Sequence, residues 1–79
     1  MLTPQNKARF EKLKTLSPLA AIQAWLEGEF GIGDEPALCF AIRKDARIKL
    51  SDDDIADTII DAMDEELTAQ ECLDRLTKV

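Results

Sequence analysis

The stretch Leu50-Ser-Asp-Asp-Asp-Ile55-Ala-Asp-Thr-Ile-Ile60-Asp-Ala-Met-Asp-Glu65-Glu-Leu67 decides the fold. Ile55, Ile59, Ile60, Met63 and Leu67 recur every three to four residues, and Asp54, Asp57, Asp61 and Asp64 keep the same period about half a turn away. That pattern predicts an amphipathic helix with one apolar and one acidic face. Ser51 stands at the N-cap with Asp54 three residues on, and Leu50 with Ile55 can close a hydrophobic staple. Asp52, Asp53 and Asp54 also lie at the positive end of the helix dipole, which favours each carboxylate by roughly 0.3–1 kcal/mol. Asp57, Asp61 and Asp64 have no such structural use. No Lys or Arg occurs between Ser51 and Glu71 to relieve their mutual repulsion.

Outward from this helix, punctuation recurs. Thr3-Pro4 opens a first helix of some twelve residues, ending at Thr15 to Ser17, with Phe10, Leu13 and Leu16 as its buried stripe and Lys7, Arg9, Lys12 and Lys14 covering the rest. Ser17-Pro18 starts a second, carrying Leu19, Ile22, Trp25, Leu26 and Phe30. Gly28, Gly31 and Gly33 are expected to supply the positive-φ positions that end it and turn the chain. Asp34-Glu35-Pro36 begins a third helix expected over about 36–47, and Thr68 with Glu71 forms a capping box for a last helix that buries Cys72, Leu73 and Leu76. Arg47-Ile48-Lys49-Leu50 alternates as a strand would, so a small hairpin at about 37–50, giving an α+β fold, is the alternative. An isolated hairpin is marginal in water, which favours the helix. The expected architecture is all-α: a compact bundle of four to five short helices forming a single domain over residues 1–79.

Composition limits the chemistry. The 79 residues carry a net charge of −6 and include neither His nor Tyr, so no Ser-His or Cys-His nucleophile pair can form within the chain and enzymatic activity is not expected. Charge is unevenly placed, with +2 over residues 1–50 and −8 over residues 51–79. An acidic chain is repelled by phosphates and anionic membranes and attracted to basic protein surfaces, so neither direct nucleic-acid nor membrane binding is expected. Cys39 and Cys72 have no metal-ligand spacing and fall on apolar faces, which points to buried thiols rather than a disulfide. The acids sit on a helix rather than in a glycine-bearing loop, so neither a metal site nor a cofactor is expected. The opening Met-Leu-Thr-Pro-Gln-Asn-Lys shows no signal peptide and no apolar run reaches membrane-spanning length, giving a cytoplasmic expectation.

The expected partner-binding residues are Asp53, Asp54, Asp57, Asp61, Asp64 and Glu65, and Arg43, Lys44, Arg47 and Lys49 form a secondary basic patch. In its size, charge and acid-faced helix, the chain resembles the small acidic helical proteins of phages and mobile elements, among them anti-CRISPR inhibitors and nucleic-acid mimics. That resemblance implies a non-enzymatic inhibitor whose carboxylates occupy a basic surface of a nucleic-acid-handling complex. Two other readings stand beside it. One is an assembly adaptor that self-associates, as a homodimer for instance, through apolar surfaces around Trp25 and Phe30. The other is a small DNA-binding regulator using the Arg43–Lys49 cluster.

Overall fold

The computed structural model describes residues 4–78, and among them there are five α-helices and no strand. Helices α1 (Pro4–Thr15), α2 (Pro18–Leu26), α3 (Glu35–Ile42), α4 (Asp52–Asp64) and α5 (Ala69–Thr77) follow in order, with a single 3-10 turn at Ile32–Asp34 before α3. The all-α expectation holds, and the hairpin does not form. Capping chemistry set three of the starts. The Ala20 N–H donates to Ser17 Oγ, the Asp54 N–H to Ser51 Oγ and the Glu71 N–H to Thr68 Oγ1, each at 3.2 Å. At α5 the box closes fully, because the Thr68 N–H also donates to Glu71 Oε1 at 3.0 Å. Thr3, expected as the cap of α1, lies outside the described residues.

The short helix α3 is the hub. Ala37, Leu38, Cys39, Ala41 and Ile42 are all buried, and α1, α2 and α4 each pack against it. Around these residues close Leu13 from α1, Ala21 and Ile22 from α2, Ile55, Ile59 and Ala62 from α4, and Ala69, Cys72, Leu73 and Leu76 from α5. Small residues at Ala37, Ala41 and Ala62 let backbones approach closely, so a core almost without aromatics still fills. Phe10, Leu16, Trp25, Leu26, Phe30 and Leu67 pack partly buried around it.

Four expectations need correction. First, α3 stops at Ile42 rather than at 47. Asp45 accepts the Arg47 N–H at 3.0 Å, a local turn that competes with the helix, and the turn brings Ile48 into the core at 5% exposure. Second, the inward seam of α4 is Ile55, Ile59 and Ala62, whereas Ile60 and Met63 stay about half exposed at 53% and 47%. Third, Leu19 points outward from α2, and Ala21 and Ala24 face the core with Ile22. Fourth, of the three glycines only Gly28 takes a positive φ, +80°.

One non-glycine residue, Glu66, also has a positive φ, 56°, in the turn from α4 to α5. Holding an L-residue there costs on the order of 1 kcal/mol. Glu66→Gly is therefore expected to raise the free energy of unfolding by about 0.5–1 kcal/mol. Leu38→Ala should lower it by about 2–5 kcal/mol, because Leu38 is 1% exposed at the hub. Denaturant unfolding followed by far-UV circular dichroism measures both.

Candidate functional site

The candidate site is the solvent face of α4. At about 100° per residue, Asp53, Asp57 and Asp64 fall together on the helix surface, with Asp61 and Asp54 next to them. All five are exposed. The buried seam lies on the opposite side of the cylinder. Between seam and acids, on one flank only, stand Ile60 and Met63.

The chain spends its nearby cations at the two ends of this helix and not on its middle. The Arg43 guanidinium donates from Nε and Nη2 to Asp52 Oδ1 at 3.0 and 2.6 Å, at the first residue of α4. Arg75 of α5 donates to Glu65, just past the last residue of α4, with Nη2 to Oε1 at 2.9 Å. This pair holds the Glu65 carboxyl below the usual range, chiefly through the Arg75 hydrogen bond. No ion pair reaches Asp53, Asp54, Asp57, Asp61 or Asp64 among the described residues. Five of the six expected partner-binding residues thus form one row without a direct ion pair, Asp61 lying within the field of Arg75, and Glu65 is tied into an intramolecular bridge.

The basic patch is not brought together as a surface. Arg43 is paired with Asp52, and Arg47 with Asp45 through Nη2 to Oδ2 at 2.6 Å. The Lys44 ammonium donates to the backbone carbonyls of Lys14 and, at 2.9 Å, Leu16, where it caps the C-terminus of α1. Only Lys49 of the four makes no hydrogen bond or ion pair among the described residues. A groove-reading helix needs such side chains extended on one face. Here three of the four are folded back onto the protein.

Two features escaped the sequence reading. Asp34 is buried at 3% exposure; its Oδ2 accepts the Gly31 N–H at 3.0 Å and lies 3.8 Å from the Arg9 guanidinium. That carboxylate ties α1 to the turn before α3. The other is a groove of about 360 Å³ beside the acidic row, formed where Trp25, Phe30, Glu35, Ile60 and Met63 meet. Its components come from α2, the glycine turn, α3 and α4, so no local pattern signals it.

Remaining chemistry is sparse. Burial pushes the Cys39 and Cys72 thiols up to about 11, so both stay protonated at neutral pH and are poor nucleophiles and ligands. Among the described residues no three His, Cys, Asp or Glu side chains converge to hold a metal ion. No helix among them is long and apolar enough to cross a membrane. No protein-family model matches the chain, and neither the curated proteins nor the solved structures give a match.

The Asp45–Arg47 pair has a pH signature. Side-chain and backbone hydrogen bonds from Arg47 lower the Asp45 carboxyl to about 2. A carboxyl depressed in the folded state stabilises the protein above its unfolded pKa, about 3.9, and that contribution is lost as pH falls towards about 2. Arg47→Ala should return the Asp45 carboxyl titration, followed by carbon NMR, to the ordinary Asp range, and Asp45→Asn should flatten the acid limb of the stability curve.

Proposed function

We propose that this chain is a non-enzymatic protein-binding module, an inhibitor in which the α4 acidic row occupies a basic surface of a cytoplasmic nucleic-acid-handling complex, in the manner of anti-CRISPR proteins and nucleic-acid mimics. The observation that carries this reading is the row itself. Asp53–Asp57, Asp54–Asp57, Asp57–Asp61 and Asp61–Asp64 are like-charge pairs at helical neighbour spacing, each costing a few tenths of a kcal/mol. Arg43 and Arg75 pair with the helix ends; the field of Arg75 extends to Asp61, and the repulsion among Asp53, Asp54 and Asp57 stays in place.

Density supports the same reading. From Asp53 to Asp64 the helix rises about 16 Å, so five carboxylates, spanning four intervals, give about one charge per 4 Å of axis. One strand of B-DNA carries one per roughly 3.4 Å. A cationic channel built for a nucleic-acid strand would meet a similar linear charge on a rigid rod. Opposite charge would steer the encounter, and added salt would weaken it.

The test is affinity capture from a lysate of the source cell, with the natural chain compared with the Asp57→Lys/Asp61→Lys/Asp64→Lys variant. The natural chain should retain a nucleic-acid-binding complex that salt of about 0.5 M releases. The variant should lose it at unchanged far-UV circular dichroism. Equal retention by both sinks the proposal.

A further inference from the structure

Among the described residues Leu19, Phe40, Ile60 and Met63 are the exposed large apolar side chains, and the spots formed by Phe40 and by Ile60 with Met63 differ in their electrostatic surroundings. The groove between Trp25, Phe30, Ile60 and Met63 has an acidic rim. Glu35 lines it, and Asp57 and Asp64 lie three and four residues from Ile60 on the same helix. At about 360 Å³ it is at the small end of ligand pockets and suits one aromatic side chain. The second spot is Phe40 of α3, 54% exposed. Two lysines stand near it, with the Glu11 carboxylate 4.0 Å from the Lys14 ammonium. The Lys14 ammonium stands 4.9 Å from the Phe40 ring centroid and 5.8 Å from that of Phe10. Lys44 lies one turn further along the chain with its ammonium on the end of α1.

The two spots occupy different parts of the surface. Phe40 is not among the residues lining the groove, and it stands about 140° around α3 from Glu35, which is. One chain therefore carries an aromatic knob set among lysines and an aromatic-lined groove set among carboxylates, and it cannot satisfy one with the other. A second copy can.

We propose that this protein self-associates head to tail: Phe40 of one copy enters the Trp25–Phe30–Ile60–Met63 groove of the next, with Lys14 facing Glu35, Asp57 and Asp64. Ring-on-ring contact with Trp25 and Phe30 and the Met63 sulfur supply the apolar part. Opposed charges fix the register. The contact is heterologous, since knob and groove differ, so it leaves an unused knob at one end and an unused groove at the other. With a single aromatic anchor it belongs to the small, weak class of interfaces and is sensitive to salt.

Complementation in the analytical ultracentrifuge tests this, with circular dichroism verifying that each variant is folded. The natural chain at low salt should associate as its concentration rises towards roughly millimolar. Phe40→Ala and Ile60→Glu should each associate at least about tenfold more weakly. Mixed, they should form a one-to-one dimer that grows no further, because one variant keeps only the groove and the other only the knob. Met63→Glu should behave as Ile60→Glu does. A natural chain that stays monomeric overturns the proposal, as does association that survives Phe40→Ala, or a mixture that stays monomeric while the natural chain associates. Phe40→Ala leaves the acidic row intact, so its capture of a basic complex reports on the proposed function alone, independently of self-association.

Discussion

The burial of one eight-residue helix governs this molecule. An isolated helix of two turns does not hold in water, so α3 exists only because α1, α2 and α4 pack around it and bury five of its eight residues. The dependence is mutual. Leu13, Ile22 and Ile55 find cover only against that central helix and the elements that gather on it. Once α4 has committed Ile55, Ile59 and Ala62 inward, its remaining circumference is fixed. The acidic row faces solvent because the core has taken the other side.

What could be read from the residues follows the range of the interactions involved. Ser17, Ser51 and Thr68 cap helices through bonds that close within three residues, so the starts of α2, α4 and α5 were visible without any tertiary knowledge. The end of α3 was not. Helix formers continue to Ala46, but the Asp45 side chain turns the backbone and Ile48 must reach the core. The apolar stripe of α4 was broader in sequence than in space. Ile60 and Met63 share its period, but α3 and α5 are too narrow a bed to cover both flanks of the helix.

The acidic row was legible because it is a periodic property of one element. The groove beside it was not, because four segments meet there and its hydrophobic members look like ordinary core residues when read singly. The Arg43–Lys49 cluster was legible as composition and misleading as surface. Three of its four cations reach Asp52, Asp45 and the end of α1, so most of a local excess of positive charge becomes internal bracing. Asp34 belongs with them: one buried carboxylate, held by a backbone N–H and faced by Arg9, connects the first helix to a turn some twenty-five residues later.

The pairing of α2 with α5 joins segments about fifty residues apart, the longest separation among the major helix contacts. Closing so large a loop is entropically the slowest of the docking events. During synthesis α1 to α4 leave the ribosome first, and they do so with part of the α2 apolar surface still wet. A chain without Ala69, Cys72, Leu73 and Leu76 in place leaves the α2 surface they cover open to water, and the charge that crowds α4 then opposes contact between two such chains.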